Sequence, residues 1–310
     1  MLKTEDKNME YQSGAVRPVE SISEGWNIIK DSYWIFFGMT LVAIIILFVV
    51  AMILGLINNA ITLGISALFG LATQNSGDVG KVSAAIAPQL ISMFISIFTN
   101  IIVVTLSGAL FCGIYSALSR KANSGVADFG DLFSGFQKIV PCLIVAAVLA
   151  IVQFAIGIVT LLAGAAVGVS AVGMGSLVTR DGQLNPTIFG GFLLVFLVLG
   201  IFYIVVNLII SALTAFVYPL IAERDLSGGQ ALMLSAKSGL SNIGGLILLF
   251  LLLGLMGLGG ALLCLVGIFF VMPIMSASLF AAFQNVFGKP GNSYQYTPPP
   301  PPAFGNQPGY

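Results

Sequence analysis

The chain has 310 residues, of which 58% are hydrophobic and only 8% charged, with zero net charge and a mean hydropathy of +1.04. A soluble domain carries about 25% charged residues, so most of this surface must face lipid, and nothing in the charge balance suggests nucleic acid. Histidine is absent altogether, which removes the commonest general base, proton shuttle and metal ligand.

Residues 1–17 are polar and charged, with no apolar core and no small-residue cleavage site, and they read as a disordered tail rather than an export signal. Ser21-Ile-Ser-Glu24 then has the form of a capping box, followed by Ile22, Trp26, Ile29 and Tyr33 at helical spacing. Trp26 and Trp34 stand at the start of the first apolar run, where an amphipathic ring prefers the boundary between headgroups and hydrocarbon.

A span needs roughly 20 apolar residues. The first is expected over residues 34–56, with Ile61 to Leu71 either extending it or lying on the far interface, and Thr73 to Lys81 a polar loop. The second runs over residues 90–118, and Gly108, Cys112 and Ser116 give it a small-residue face suited to close helix contact.

Asp128 to Pro141 is an amphipathic stretch. Phe129, Leu132, Phe133, Phe136, Ile139 and Val140 form one stripe, Asp128 sits at the N-cap position and Asp131 lies three residues on. Pro141 is expected to separate it from the third span, residues 142–163. Gly164 and Gly168 form a small-residue pair at that span's end, Val169 to Val178 is Gly-rich, and Thr179 to Thr187 reads as a polar turn. The fourth span follows over residues 189–221.

Ser227-Gly-Gly-Gln230 is another capping box, with Leu232, Met233, Ala236 and Leu240 as the apolar stripe behind it. The fifth span covers residues 243–258, Gly259 and Gly260 suit a tight turn, and the sixth covers residues 261–283 with a kink expected at Pro273. The expected fold is therefore an all-α membrane protein with six transmembrane helices. It is arranged as three amphipathic-helix-plus-hairpin units, opened by Ser21, Asp128 and Ser227.

This membrane domain takes in residues 18–288, and residues 289–310 form a Pro-rich disordered tail. With this topology Lys3, Lys7, Arg17, Lys30, Arg120, Lys121, Lys138, Arg224, Lys237 and Lys289 share one side, against Lys81 and Arg180 on the other. That bias places both termini and the amphipathic helices in the cytoplasm. Pro298 to Pro302 make a short polyproline rod, which could dock on a cytoplasmic protein partner, although a solvated tail is the simpler reading.

Catalytic motifs are not assembled. Leu226-Ser-Gly-Gly-Gln230 spells the signature of ABC transporter ATPases, but no phosphate loop accompanies it: Gly77-Asp-Val-Gly-Lys81 continues with Val82, and Gly288-Lys289 with Pro290. Asp128-Phe-Gly130 matches the kinase metal-binding tripeptide only as a string. Cys112, Cys142 and Cys264 are far apart and sit in or beside apolar runs, as buried small hydrophobes do. No catalytic, cofactor-binding or metal-binding residue is assigned, and no cofactor is expected.

The polar residues inside the spans are Asn100, Gln153, Asn207, Ser211 and Thr214. Asn100, Asn207 and Thr214 could line a cavity. Without an intramembrane charge, hydrogen bonding between helices is the favoured role. Trp26, Trp34, Phe129, Phe133 and Phe136 are the candidate interfacial residues.

Four pieces carry a family resemblance: Ser23-Glu-Gly-Trp-Asn-Ile-Ile-Lys30, Phe129-Gly-Asp-Leu-Phe-Ser-Gly-Phe136, Tyr218-Pro-Leu-Ile-Ala-Glu-Arg224 and Met272-Pro273. Across about residues 20–288 the chain resembles an uncharacterised group of bacterial six-span inner-membrane proteins. The group is related to the membrane domain found beside some glycerophosphodiester phosphodiesterases. The resemblance implies fold and inner-membrane location. It carries over no catalytic residue, since no phosphodiesterase domain is present. The expected function is a non-enzymatic membrane-organising or accessory protein that meets lipids and protein partners. The alternative is a transporter or channel subunit for a small or lipidic solute.

Overall fold

The computed structural model describes residues 11–72, 78–173, 186–262 and 266–288. All regular structure among them is helical: α1 (Pro18–Ile29), α2 (Tyr33–Ala72), α3 (Asp78–Ser124), α4 (Asp131–Ser134), α5 (Ile139–Gly173), α6 (Pro186–Thr214), α7 (Val217–Arg224), α8 (Gly228–Ser241), α9 (Ile243–Leu262) and α10 (Val266–Phe287). Six helical segments are long and apolar enough to cross a membrane, so the chain is an all-α, multi-pass membrane protein.

The helices outrun the apolar stretches that define them. α2 has 40 residues and α3 has 47, about 60 and 70 Å at 1.5 Å per residue, against a hydrocarbon core of about 30 Å. Ile61 to Leu71 thus extends α2, and residues 78–81 are helical rather than loop, while residues 73–77 lie outside the described set. The Gly-rich stretch expected over residues 169–178 is helical as far as Gly173. The turn expected over residues 179–187 lies outside the described set as far as residue 185, and Pro186 opens α6. Gly259 and Gly260 belong to α9 instead of forming a turn. A Cβ on Gly260 would stand 2.8 Å from the Gly267 carbonyl carbon, so these glycines let α9 and α10 touch backbone to backbone. Pro273 is buried inside α10, which continues through it.

Two of the three expected caps are corrected. α1 opens at Pro18 with Arg17 as its N-cap residue, because a proline in the first turn gives up no hydrogen bond and its ring pre-sets φ. Ser21 is buried inside the helix, its amide bonded to the Arg17 carbonyl at 2.8 Å. Asp128 instead makes a local turn, accepting from the Gly130 amide at 3.0 Å, and Gly130 precedes the single α turn of α4. A 3-10 turn (Gly135–Lys138) then leads straight into α5. Pro141 does not separate the two, because it occupies the first turn of α5, where amides lack intrahelical partners anyway.

Ser227 caps α8 with the full reciprocal box, its hydroxyl accepting from the Gln230 amide and the Gln230 side chain accepting from the Ser227 amide. Ser227→Ala should cost about 1 kcal/mol. The matching observation is a lower thermal midpoint in detergent, with amide exchange rising first over the opening turn of α8.

The fourth span breaks at Ala215–Phe216 instead of running to Ile221. Pro219 has no amide, and its ring would clash with the carbonyl four residues back, at Ala215. The fully buried Ser235 of α8 stitches the break: its hydroxyl donates to the Leu213 carbonyl at 2.8 Å and accepts from the Phe216 amide at 3.2 Å. α7 closes on Asp225 in the left-handed region, φ 51°, which aspartate tolerates better than most residues.

The burial of α8 is the reverse of its apolar stripe. Gly228, Ala231, Ser235, Ser238 and Gly239 face the bundle, while Met233 is 63% and Leu240 60% exposed. Where the surroundings are lipid, large apolar side chains gain little by turning inward, and small residues take the interface because they let backbones approach.

The short helices all lie at one end, here called the capped end. α1 packs along α10, α4 and its 3-10 turn along α3, and α8 along α6. Each short helix thus rests on the last span of the preceding unit, and α1 closes the ring on the last span of the third. Buried residues of the spans concentrate at this end. Where side chains are described, α2 has none after Ala43, α3 none before Thr105, α5 none after Ala150 and α6 none before Ala212. The core there is aromatic, with Phe216, Phe280 and Phe283 fully buried and Tyr115 stacked on Phe280 at 6.3 Å.

Candidate functional site at the capped end

The aromatic candidates fall into two groups. Trp26 and Tyr33 have ring centroids 5.8 Å apart, Tyr33 and Trp34 5.7 Å, Trp34 and Phe37 5.6 Å, and Phe37 and Phe270 4.8 Å. Trp34 is 71% exposed and Trp26 43%. The Tyr33 hydroxyl donates to the Phe270 carbonyl at 2.7 Å, three residues before Pro273, in a turn where the proline removes a helical donor. Phe129 packs on α2 where Gly38 leaves room, a Cβ there lying 3.4 Å from the ring. Phe133 stacks on the half-buried Phe136 at 6.3 Å and 14°. The ladder joins the start of α2 to the first turns of α10, whereas the Phe129 and Phe133 contacts lie around α4, so these are separate groupings.

Charged groups join the units. Arg120, near the end of α3, meets Asp131 at 3.0 Å and Asp128 at 3.7 Å. Asp131 is buried, so this pair, rather than a helix-capping role, accounts for the carboxylate's position. Lys138 pairs with Asp225, which ties the 3-10 turn to the end of α7. The Arg224 guanidinium donates to the Phe287 carbonyl at 2.8 Å, closing the C-terminus of α10. The Glu223 carboxylate oxygens are shut off from solvent. The Ser119 hydroxyl and the Arg224 guanidinium are the groups acting on them, neither in good hydrogen-bonding geometry.

Of the three cavity candidates, Asn100 lies on α3, and Asn207 and Thr214 lie on α6. Asn100 is exposed on α3. Asn207 accepts from the Gln153 side-chain Nε2 of α5 at 2.9 Å and donates to the Tyr203 carbonyl at 2.9 Å. Thr214 bonds back to the Ile210 carbonyl at 2.8 Å. A second pair, Asn58 donating to Ser96 at 3.1 Å, joins α2 to α3. These two bonds fall within the α5–α6 and the α2–α3 hairpin respectively.

Residues 11–17 form a strap over this end, where composition suggests a disordered tail. Val16 is buried, and the strap is held by Asn242, which is 3% exposed. Asn242 accepts from the Ala15 and Val16 amides at 2.8 and 3.4 Å and donates to the Gln12 and Ser238 carbonyls at 3.0 and 2.9 Å. Residues 1–10 and the Pro-rich stretch lie outside the described set. Neither Asn242 nor Ser235 stands out by composition. Each sits at a junction of chain segments, which is where a buried polar side chain finds backbone partners.

Among the described residues, no group of three Cys, Asp or Glu side chains could hold a metal ion. Comparisons with models of known protein families, with curated proteins and with solved structures find no match.

Proposed function

We propose that this chain is a non-enzymatic accessory or organising protein of a bacterial cytoplasmic membrane, with both termini and the capped end on the cytoplasmic side. The observation that carries the reading is where the packing lies. Among the described residues, the buried side chains of the spans concentrate at the capped end, whose short helices turn Phe133, Met233 and Leu240 outward. A rigid platform with apolar side chains at headgroup depth suits contact with lipids and with partner proteins. The Lys/Arg bias supports the orientation, and the four resembling pieces support the location. The Gln153–Asn207 and Asn58–Ser96 pairs support packing over conduction, since each joins polar side chains across one hairpin.

Orientation has a direct test. Single cysteines at Ser76 and Asp181, in a chain freed of its native cysteines, should react with an impermeant thiol reagent added outside intact cells. A cysteine at Ser124 should react only after permeabilisation. Labelling of Ser124 from outside inverts the assignment.

The functional reading is tested in sealed liposomes. Purified protein should give no solute flux under imposed proton or sodium gradients. Mild-detergent purification should retain lipids or proteins at the capped end, detectable as photo-crosslinks from positions 133 and 240. Gradient-driven flux abolished by Asn100→Ala or Asn207→Ala would make the chain a transporter.

A further inference from the structure

Cys112 of α3 and Cys142 of α5 are both free and buried, with their sulfurs 3.7 Å apart. The contact depends on Gly108, one turn before Cys112. A Cβ at 108 would lie 3.3 Å from the Cys142 Cβ, 3.4 Å from its sulfur and 2.7 Å from the Tyr218 ring. Without that atom, α5 settles close enough to α3 for the thiols to touch. The Tyr218 carbonyl lies 3.7 Å from the Cys112 sulfur, where it can accept the S–H proton. Two thiols in van der Waals contact on different elements are one short movement from a disulfide, whose S–S length is about 2.05 Å.

We propose that Cys112 and Cys142 form a redox-convertible pair, oxidised by a small hydroperoxide to a disulfide that staples α3 to α5. In the first step one sulfur gives up its proton and attacks a peroxide oxygen. The O–O bond breaks, leaving a sulfenic acid, and the departing hydroxide takes the proton as water. In the second step the other sulfur attacks the sulfenic sulfur. The S–S bond forms, the S–O bond breaks, and the second hydroxide leaves with the second thiol proton as water. Two electrons and two protons pass from the thiols to hydrogen peroxide, giving two waters. Burial excludes bulky oxidants, and the neighbouring thiol captures the sulfenic acid before it can go on to the irreversible sulfinic stage. The staple encloses α4 and its 3-10 turn, joining the first unit to the second at the capped end.

The test uses the full chain in its native membrane with Cys264→Ser, so that only the pair remains. Membranes are treated with hydrogen peroxide and quenched. The protein is then denatured, and its thiols are counted by the gel shift of a polyethylene-glycol maleimide. Two thiols should become none, and dithiothreitol should restore both. Non-reducing peptide mapping should find the segments around residues 112 and 142 joined. With Cys112→Ser or Cys142→Ser added, the surviving cysteine should yield no disulfide-linked species. Retention of both thiols, under conditions that oxidise a cysteine placed at exposed Ser124, overturns the proposal. So does loss of thiols that dithiothreitol does not reverse, or a disulfide between two chains.

Discussion

Gly135→Ala should destabilise the protein by about 3 kcal/mol or more, the upper end of overpacking costs, through the addition of one methyl group. The glycine lies in the 3-10 turn after α4, against α3. An added Cβ would overlap the Ala109 carbonyl oxygen and stand 2.6 Å from the Gly113 amide nitrogen. These are backbone atoms of a buried helix, so no rotamer change relieves the overlap. The third unit repeats the arrangement, a Cβ on Gly239 lying 2.6 Å from the Ala212 carbonyl oxygen of α6. In the first unit a Cβ on Gly25 would lie 2.5 Å from the Ser278 amide of α10. Gly254→Ala and Gly257→Ala on α9 are the controls, since nothing lies within 4 Å of a Cβ at either position. There the better helix propensity of alanine should leave stability unchanged or raised by up to ~1 kcal/mol. The readout is the monodisperse fraction recovered by gel filtration after stepwise heating in detergent. If Gly135→Ala and Gly254→Ala survive heating equally well, close backbone contact at the capped end is not what holds the units together.

These contacts show what could be read from the residues and what could not. Hydropathy locates the six spans because an uncharged apolar run of about 20 residues matches the thickness of the hydrocarbon core. It misplaces their ends, because a helix continues through polar or Gly-rich sequence until something stops it, and α2 meets no proline before residue 72. The Ser227 box forms because no stronger signal competes with it, whereas Pro18 outcompetes Ser21 and the Asp128 turn displaces a cap. The threefold repeat lies elsewhere than in the cap residues. Gly25-Trp26-Asn27-Ile28-Ile29, Gly135-Phe136-Gln137-Lys138-Ile139 and Gly239-Leu240-Ser241-Asn242-Ile243 share one pattern: glycine, a large side chain, a polar residue, then isoleucine two positions on. In each copy the glycine touches the preceding unit's last span. A pattern of five residues spaced about one hundred apart is visible in the chain. What marks it as a contact is the backbone it approaches, and no local periodicity reports that. The Met233 and Leu240 stripe turns outward for a related reason. Amphipathicity states that a helix has two faces, and the surrounding solvent decides which one turns inward.

Asn242→Leu should release the N-terminal strap. The native side chain uses its hydrogen-bonding capacity in full, with two amides on its oxygen and two carbonyls on its nitrogen. Leucine is of similar volume and bonds to none of them. The Ser238 carbonyl keeps the Asn242 backbone amide at 3.1 Å, but the Ala15 and Val16 amides and the Gln12 carbonyl lose their side-chain partner. A buried group left unsatisfied costs about 1–3 kcal/mol, so losing several at once exceeds what one apolar contact at Val16 returns. The strap should then detach while α9 keeps its first turn, since the Leu246 amide still bonds the residue 242 carbonyl at 3.0 Å. Hydrogen exchange should accelerate roughly a hundredfold at residues 15 and 16, the equivalent of ~3 kcal/mol, and little at Leu246. Asn242→Asp separates the two halves of the clasp. Its carboxylate still accepts from Ala15 and Val16, but it faces the Gln12 and Ser238 carbonyls with no proton to offer. It should therefore loosen residue 12 more than residues 15 and 16. Unchanged protection of Ala15 and Val16 in Asn242→Leu would mean that Gly245, against which Val16 packs, and the Gln12–Val286 backbone bond hold the strap without help. With the clasp in place, Gln12 is held against Val286 in the last turn of α10, so the strap and the end of α10 stay together at the capped end.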